Sequence, residues 1–518
     1  MLERAHAGRS ALLVAATGAG KTLAGFLPTI CDLADDPAEG LHTLYVSPLK
    51  ALAVDVQRNL LTPIEEMGLP IRVETRTGDT PSDRKARQRI RPPQILLTTP
   101  ESLSLLLSYP DSPTLFAGLR NVIVDEIHAF AREKRGDLLS LALARLQALA
   151  PNLRRVGLSA TVADPDSYRG WLAPHGDETL IDLVLGEPGA DPDLSILIPE
   201  DKVPWGGHSA VYAARQVIDL IKRHRTTLVF TNTRSLCELT FQELWNVNDE
   251  ALPIGIHHGS LDIAARRKVE AAMADGRLRA LVATSSLDLG IDWGDVDLVV
   301  QMGAPKGSSR LLQRIGRANH RLDEPSRGLV VPGNRFEYLE ARAALDAIDE
   351  RELDPENFRL GTLDVLAQHI LAIACAGPFA EGELLAEIQS AAPYAGTTPE
   401  RFAEVLNYIA TGGYALKAYD KFRRLVPDGP GRWRITRPAV AAQHRLNAGV
   451  IVEQPLMDVR FRGGSRIGRI EEGFASTLTP GDHIFFAGLS LEILSLKDTD
   501  IIVQASSKQA RLVTYGGQ

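Results

Sequence analysis

A glycine-rich segment near the start of the chain, ATGAGKT, joins the apolar run of residues 11–15 to a stretch with helical character. Glycines let the backbone turn tightly between a strand and a helix, and the N–H groups and helix dipole at such a turn attract anions. A lysine and a threonine at the end of the segment suit terminal phosphates and a magnesium ion. The segment therefore predicts a triphosphate site formed by Thr17, Gly18, Ala19, Gly20, Lys21 and Thr22, in which Lys21 also acts in catalysis and Thr22 ligates the metal.

Two adjacent carboxylates follow a second apolar run, residues 121–124. Open parallel sheets hold their ligands at the carboxyl ends of the strands, so these acids are expected at a ligand site. We predict that Asp125 holds hydrated Mg²⁺ and that Glu126 accepts the proton of an attacking water. The predicted cofactors are therefore ATP and Mg²⁺, and the predicted reaction is ATP hydrolysis.

The composition of the chain predicts several domains and argues against metal-binding, disulfide-rich and membrane proteins. With 518 residues, of which 44% are hydrophobic, the chain is expected to form three or four domains. The three cysteines, Cys31, Cys237 and Cys375, are far apart, which argues against a zinc site, an iron–sulfur cluster or a disulfide framework and favours a reducing cytoplasm. The sequence contains no signal peptide and no membrane-spanning run, so no membrane partner is expected. The net charge of −8 predicts that any nucleic-acid binding is local.

Apolar runs alternate with helical stretches twice along the chain, as in doubly wound α/β domains. The predicted strands are 11–15, 43–46, 95–98, 121–124 and 156–158, and then 227–230, 253–256, 280–283, 298–301 and 329–331. We predict a first α/β domain over residues 1–187, a linker over 188–208 and a second α/β domain over 209–346. The second domain has no phosphate segment of its own, so the two domains are expected to share one ATP.

The remaining residues predict two smaller domains. A winged-helix domain is expected over residues 347–440, where helices follow Thr362 and Thr398 and two strands flank the turn PDGPG. Trp433, on the second of these strands, is expected in the core. Residues 441–518 predict a small β domain, for which truncation is one interpretation. Its basic face is expected to comprise Arg460, Arg462, Arg466 and Arg469.

The segment QRIGRANH, residues 313–320, supplies two arginines to the second α/β domain. In a helix, Arg314 and Arg317 are three residues apart and project from the same face, with Gln313 four residues before Arg317. We predict that the two guanidinium groups act as arginine fingers on the γ-phosphate, an effect worth about 10³- to 10⁵-fold in rate.

Ten short motifs occur in a fixed order along the chain. They are ATGAGKT, SPLKAL, TGDT, TTPES, DEIH, SAT, FTNTR, HHGS, ATSSLDLGID and QRIGRA. In this order they resemble the motifs of superfamily 2 helicases of the DExH type, which have two tandem RecA-like domains. Residues 290–321 narrow the resemblance to the large helicase-related (Lhr) proteins, and within them to the DNA ligase-associated branch. The resemblance covers nearly the whole chain.

The resemblance implies a role for each matching residue. Gly290 and Asp292 would contact the nucleotide from the second domain. The coupling of hydrolysis to movement would involve His128, Ser159, Thr161 and Gln313. Contacts with the nucleic-acid strand would come from Ser47, Pro48, Lys50, Gly78, Asp79, Thr98, Pro100, Glu101 and Ser102 in the first domain, and from Thr231, Arg234, His258, Gly259, Thr284 and Ser285 in the second. Small hydroxyl groups and backbone N–H groups suit phosphate and sugar, so binding is expected to be independent of base sequence.

The predicted function is that of an ATP-dependent helicase or translocase. The resemblance implies movement 3′ to 5′ on single-stranded DNA, unwinding of duplexes or RNA–DNA hybrids and a role in DNA repair. The protein is expected to be a cytoplasmic monomer associated with a DNA ligase and a nuclease. Two alternatives remain: an ATP-driven remodeller that does not separate strands, and a truncated nucleic-acid-binding module with little turnover.

The first ten residues, MLERAHAGRS, bear on nucleotide selectivity. Similar proteins read adenine with an aromatic residue and a glutamine that precede the phosphate segment, whereas these ten residues contain no Phe, Tyr, Trp or Gln. We therefore expect hydrolysis that is weaker or less selective for ATP than in a full-length relative. A fragment of a longer protein is one interpretation of this chain.

Overall fold

The computed structural model forms two compact units. One comprises Met1–Ala15, Gly20–Glu187 and Pro355–Ile451, and the other comprises Ala16–Ala19, Pro188–Asp354 and Val452–Gln518. The structure describes residues 1–16, 19–187, 189–200, 202–207, 209–284, 287, 296–318, 324–354, 358–413, 419, 422–449, 455–497, 499–508 and 510–513. Within these ranges, every helix is too short or too polar to cross a lipid bilayer.

The first α/β domain is built on a sheet of seven parallel strands. They are β1 (Ser10–Val14), β2 (Thr43–Val46), β3 (Val73–Arg76), β4 (Ile95–Thr98), β5 (Asn121–Val124), β6 (Arg154–Ser159) and β7 (Ile181–Leu185). Their order across the sheet is β3-β4-β2-β5-β6-β1-β7. The inner strands β2, β4 and β5 are buried along their whole length, because a parallel sheet of this kind is covered on both faces. The five predicted strands are all present, and the two edge strands β3 and β7 are additional.

In the described part of this domain, eight α-helices accompany the sheet. They are α1 (Leu2–His6), α2 (Lys21–Asp35), α3 (Lys50–Glu66), α4 (Ser82–Ile90), α5 (Pro100–Leu107), α6 (Ser112–Phe116), α7 (Lys134–Leu149) and α8 (Pro165–Leu172). Helices α3 and α5 begin four and two residues after the ends of β2 and β4, and helices α2 and α7 begin seven and ten residues after the ends of β1 and β5, at the edge where the predicted site residues lie.

The second α/β domain is built on a similar parallel sheet, with six strands among its described residues. They are β8 (Asp193–Ile196), β9 (Thr227–Thr231), β10 (Ile254–His257), β11 (Ala280–Ala283), β12 (Leu298–Met302) and β13 (Arg327–Val331), in the order β10-β11-β9-β12-β13-β8. Its helices are α9 (Ala214–Arg223), α10 (Arg234–Asn246), α11 (Ile263–Ala274), α12 (Ser308–Ile315) and α13 (Arg335–Asp349). The predicted pair of doubly wound domains is confirmed.

The predicted linker, residues 188–208, requires a correction. It contains β8, which pairs in parallel with β13 and forms the edge of the second sheet. The four residues of β8, DLSI, are only partly buried at best, so this strand lacks the continuous apolar run that marks an inner strand. Part of the segment therefore belongs to the second domain.

The described residues of the predicted winged helix form four α-helices and a small antiparallel sheet in the first compact unit. Its elements are α14 (Leu363–Ala376), β14 (Phe379–Ala380), α15 (Glu381–Gln389), α16 (Pro399–Thr411), β15 (Leu425–Pro427), β16 (Arg432–Ile435) and α17 (Pro438–Asn447). Thr398 caps α16, since its hydroxyl accepts the N–H of Arg401. Trp433 packs against the core of this domain, as predicted, and its Nε1 donates to Glu381 Oε1 at 2.5 Å.

Helix α7 is buried on two sides and joins the winged helix to the first sheet. Leu139 and Leu143 pack in the core of the first α/β domain, whereas Leu138 and Leu141 pack with the winged-helix core. Thr362 does precede α14, but its hydroxyl donates to a carboxylate of α7, Asp137 Oδ2, at 3.0 Å. Thr362 therefore makes no side-chain cap of α14 and is instead an anchor between the two domains.

The C-terminal β domain lies in the second compact unit. It contains β17 (Leu456–Phe461), β18 (Arg466–Glu471), α18 (Glu472–Ala475), β19 (His483–Phe486), β20 (Leu489–Leu496), β21 (Asp500–Ala505) and β22 (Arg511–Leu512), with the sheet order β18-β17-β21-β20-β19-β22.

The basic face predicted for this domain is largely neutralised by acids. Asp458 forms ion pairs with three of its arginines, at 3.0 Å from Arg460, 3.0 Å from Arg469 and 3.7 Å from Arg466. Arg460 also pairs with Asp500 at 2.9 Å. Asp458 lies on β17 itself, two to eleven residues from its arginine partners, whereas Asp500 is forty residues from Arg460. A count of the basic residues alone along β17 and β18 could not reveal this pairing.

Candidate nucleotide and nucleic-acid site

The phosphate segment follows β1 and leads into α2. Gly20 adopts the left-handed conformation, with φ of 70°, directly before the first residue of the helix. The helix begins at Lys21, and Thr22 is its second residue. Lys21 Nζ donates to the carbonyl of Ala15 at 3.0 Å. The Ala19 N–H donates to the Ala16 carbonyl at 3.3 Å, and the predicted ligands Thr17 and Gly18 lie outside the described residues.

The acid pair lies at the carboxyl end of β5. Asp125 is buried, with Oδ2 accepting the hydroxyl of Tyr45 and Oδ1 accepting the Glu126 N–H at 2.9 Å. Burial and the neighbouring charge of Glu126 raise the pKa of Asp125 to about 7, against the opposing effects of these hydrogen bonds and of the Lys21 charge. A buried carboxylate beside a second carboxylate is an environment that a bound cation stabilises.

A chain of contacts links Glu126 to the phosphate segment. Glu126 has a left-handed backbone, with φ of 50°, which is a strained conformation for a residue with a side chain. Its Oε2 is 3.3 Å from Nε2 of His128, and Nδ1 of that imidazole is 3.1 Å from Ser159 Oγ. The Ser159 carbonyl accepts the Ala15 N–H at 3.2 Å. Two of the predicted coupling residues therefore lie between the acid pair and the phosphate segment.

The other predicted coupling residues have separate environments. Thr161 is exposed two residues after β6. Gln313 lies in α12 of the second α/β domain and is partly buried.

The strand-contact residues of the first domain lie together at the carboxyl ends of β2, β3 and β4. The hydroxyls of Ser47 and Thr98 are buried and donate to the backbone carbonyls of Leu49 and Arg76. Lys50 is exposed, and its Nζ donates to Asp79 Oδ1 at 2.9 Å. The neighbouring Gly78 is also exposed. The exposed residues Lys50, Gly78 and Asp79 therefore form the polar surface of this sheet edge. The buried hydroxyls of Ser47 and Thr98 stabilise its loops through hydrogen bonds to backbone carbonyls.

An arginine that the motifs do not include, Arg135, connects two of these loops. Its Nε donates to Glu101 Oε1 at 2.6 Å, and its Nη2 donates to the Pro48 carbonyl at 2.9 Å. Burial alone would raise the pKa of Glu101, but the hydrogen bond and charge of Arg135 lower it. Pro100 begins α5, and Ser102 Oγ accepts the Thr99 hydroxyl at 3.3 Å. Arg135 is the second residue of α7, and only its position close after DEIH could have drawn attention to it.

The strand-contact residues of the second domain follow three adjacent strands, β9, β11 and β10. Thr231 Oγ1 donates to the Ala283 carbonyl at 3.3 Å, and the buried Thr284 follows β11. Arg234 Nη1 donates to Ser260 Oγ at 3.1 Å, and Gly259 is exposed after β10. Ser285 lies outside the described residues.

His258 is placed differently from its prediction as a strand contact. Its side chain has no exposed surface, and its Nε2 is 2.9 Å from Oε1 of Glu238, which is equally buried. The imidazole is therefore held inside the domain, and only the backbone of His258 lies at the sheet edge.

The two predicted arginine fingers also differ from each other in structure. Helix α12 ends at Ile315, so Arg317 lies beyond the helix and the expected shared helical face does not form. Arg314 is 1% exposed, with Nη1 donating to Gln301 Oε1 at 2.6 Å and the guanidinium 5.1 Å from the centre of the Phe230 ring. Arg317 is likewise buried, at 4% exposed, so the finger roles of both arginines stay predictions. Gly290 and Asp292 lie outside the described residues.

Comparison with known families gives matches along most of the chain. The DEAD/DEAH box helicase model matches residues 1–168, and the helicase conserved C-terminal domain model matches residues 212–321. The model of the winged helix domain of the large helicase-related protein matches residues 346–513. The chain belongs to the large helicase-related family of superfamily 2 helicases. Its assignment to the ligase-associated branch stays a prediction.

Relatives in this family are similar over nearly the whole chain but are longer. The Lhr helicase/probable uracil glycosylase of Mycolicibacterium smegmatis is 34% identical over 98% of this chain and 37% of its own length. The ATP-dependent helicase Lhr-Core of Methanocaldococcus jannaschii is 35% identical over 97% of this chain and 60% of its own length. The solved structure of Mycobacterium smegmatis helicase Lhr bound to ssDNA and AMP-PNP has a TM-score of 0.77 at 36% identity, covering 87% of this chain and 60% of that one. The chain thus spans between about a third and three fifths of these proteins.

Proposed function

We propose that this chain is an ATP-dependent translocase on single-stranded DNA that unwinds duplexes or RNA–DNA hybrids. The observation that carries the proposal is the carboxyl edge of the first sheet, where Lys21, the acid pair and the exposed Lys50 and Asp79 all follow strand ends. A phosphate site and a strand surface on one sheet edge are what a nucleic-acid motor requires. The family membership supports the same function.

The residues of the nucleotide site suit phosphoryl transfer to water. Lys21 and the backbone N–H groups at the start of α2 would hold the phosphates. Thr22 and Asp125 would hold Mg²⁺, which neutralises phosphate charge when bound. Glu126 would accept the proton from water, and Arg317 would stabilise the charge that develops on the γ-phosphate.

The contacts of His128 and Ser159 suit a coupling role. Because this pair connects Glu126 to the backbone of Ala15, the residue directly before the phosphate segment, a shift of either end would change the hydrogen bonds of the other. Loss of the γ-phosphate after hydrolysis would in this way be transmitted to the end of β6, as in other enzymes whose loops respond to a bound phosphate.

The strand surface suits binding that does not depend on base sequence. Its exposed described members are Lys50, Gly78, Asp79 and Gly259, which offer backbone groups and single charges at strand ends rather than a row of base-reading side chains. A relative in this family is solved with ssDNA and AMP-PNP, which supports single-stranded DNA as the ligand. Movement 3′ to 5′, a role in DNA repair, a monomeric cytoplasmic state and association with a DNA ligase and a nuclease rest on the family resemblance alone.

Stimulation of phosphate release tests this function. We expect ATP hydrolysis by the chain to rise at least about tenfold with oligo-dT and less with oligo-U, because strand binding to the motor orders its catalytic groups. The measurement is phosphate release at saturating ATP over a range of each oligonucleotide. Strand binding without stimulated release would instead support the binding-module alternative, and equal stimulation by RNA would contradict the DNA preference.

A further inference from the structure

A buried carboxylate lies beside the HHGS loop, residues 257–260, of the second α/β domain. Glu238, in α10, has no exposed surface and is 2.9 Å from His258 Nε2. Nδ1 of the same imidazole accepts the Ser260 N–H at 3.3 Å, so these hydrogen bonds assign the ring proton to Nε2, which donates to Glu238. A buried charge requires several such donors, because its desolvation is otherwise costly.

The other donors to Glu238 come from the C-terminal β domain. The Ala487 N–H donates to Oε1 at 2.6 Å, and the Gly488 N–H donates to Oε2 at 3.0 Å. Both residues form the turn between β19 and β20 and have positive φ values, 56° and 74°. A Cβ on Gly488 would lie 2.7 Å from the Phe241 ring, so this turn fits closely against α10. One carboxylate thus joins the HHGS loop to a turn more than two hundred residues later.

A second junction joins the same loop to the edge of the C-terminal sheet. β18 is an edge strand of that sheet, and its backbone pairs with the residues that follow Gly259. The Arg469 N–H donates to the Ser260 carbonyl at 2.8 Å, and the Asp262 N–H donates to the Ile467 carbonyl at 2.9 Å. A Cβ on Gly468 would lie 2.3 Å from the Ser260 carbonyl oxygen, so the approach requires glycine. Backbone pairing with an edge strand is a common way to fix a segment.

We infer that the C-terminal β domain positions the HHGS loop for contact with the nucleic-acid strand, with Glu238 as the positioning residue. The inference rests on the proposed function, which makes this loop part of the strand surface. Gly259 is exposed, and the two junctions fix its neighbours, His258 and Ser260. Arg234 also donates a hydrogen bond to Ser260. A loop that binds phosphate through its backbone binds best when its conformation is fixed beforehand. The loss of Glu238 therefore weakens strand binding while the groups that hydrolyse ATP are unaltered.

Glu238→Gln, compared with Glu243→Gln on the same helix, tests the inference. The glutamine keeps the size of the side chain but directs an NH₂ group at one of the donors around it. We expect the Kd for fluorescein-labelled oligo-dT, measured by anisotropy without ATP, to rise roughly tenfold, as for loss of a hydrogen bond to a charged group. The oligonucleotide concentration for half-maximal ATP hydrolysis rises by the same factor, while the KM for ATP and the turnover without strand stay at the parent values. Glu243→Gln matches the parent throughout.

A second pair of variants covers the case in which Glu238→Gln does not fold, as judged by its thermal unfolding. Arg466 pairs with Asp262 at 2.9 Å across the β18 junction, whereas Arg277 forms an exposed pair with Asp275, also at 2.9 Å. We expect Arg466→Met to raise the Kd for oligo-dT about threefold, the order of a partly exposed ion pair, and Arg277→Met to leave it unchanged.

Three results would overturn the inference. The first is an unchanged Kd for oligo-dT in folded Glu238→Gln. The second, if Glu238→Gln does not fold, is an unchanged Kd for oligo-dT in Arg466→Met. The third is a variant in which turnover without strand falls by the same factor as the affinity for oligo-dT. A parent protein that binds oligo-dT without stimulated hydrolysis would contradict the proposed function, yet the anisotropy measurement would still decide the role of Glu238.

Discussion

Glu126→Gln is expected to bind ATP and yet to hydrolyse it roughly 10²- to 10⁴-fold more slowly than the parent, the range that a positioned general base contributes. Glutamine has the same shape as glutamate but cannot accept the proton of the attacking water. It can also keep the left-handed backbone of residue 126, so the acid-pair loop should be preserved. ATP binding is measured by equilibrium titration with a fluorescent ATP analogue, and turnover by phosphate release with oligo-dT.

A matched control for this substitution is Glu133→Gln, an exposed glutamate seven residues later in the chain. It should leave both ATP binding and turnover at the parent values. Undiminished turnover in Glu126→Gln would remove Glu126 as the base. Loss of ATP binding in the same variant would show instead that the carboxylate is needed to form the site.

Lys21→Ala is expected to lose both ATP binding and hydrolysis, with turnover lower by about 10²- to 10³-fold or more, as for removal of one preorganised donor to a transferring group. The amine stands at the start of α2 and bonds to the Ala15 carbonyl, and its charge lowers the pKa of Asp125. Replacing Lys21 therefore removes the positive charge that would bind the phosphates and that also lowers the pKa of the buried Asp125. The same titration and phosphate-release measurements apply.

The contrast between the two variants is itself informative. Glu126→Gln should retain ATP binding, whereas Lys21→Ala should not, because one residue acts on water and the other on phosphate. Lys222→Ala, which removes a partly exposed lysine that pairs with Glu250 at 3.1 Å, serves as the control. Normal ATP affinity in Lys21→Ala would contradict the phosphate-binding role of the segment.

The elements that carry the nucleotide site could be predicted because their strands are inner strands. β2, β4 and β5 are runs of mostly apolar residues, and their burial on both faces leaves a clear mark in the sequence. The edge strands β3 and β8 mix polar and apolar residues and could not be recognised in this way. The turn residues between strand and helix, especially glycines and acids, then placed the phosphate segment and the acid pair.

Side-chain environments set by distant residues could not be predicted from the motifs. Arg314, in helix α12, is buried because Gln301 on β12 and Phe230 on β9 surround its guanidinium group. His258 turns inward because its Nε2–H donates to Glu238, a carboxylate that also accepts an N–H from a turn of the C-terminal β domain. Spacing within a motif gives the position of a residue on its element, whereas the partners that orient the side chain come from elsewhere in the fold.

Strand displacement tests the central claim most directly. The substrates are fluorescent duplexes with a single-stranded tail at either the 3′ or the 5′ end, incubated with the chain and ATP, with Lys21→Ala as the control. The account predicts ATP-dependent release of the labelled strand from the 3′-tailed duplex, little release from the 5′-tailed duplex and none with Lys21→Ala. Intact strand-stimulated ATP hydrolysis with no release from either duplex would contradict the claim and support a remodeller that does not separate strands.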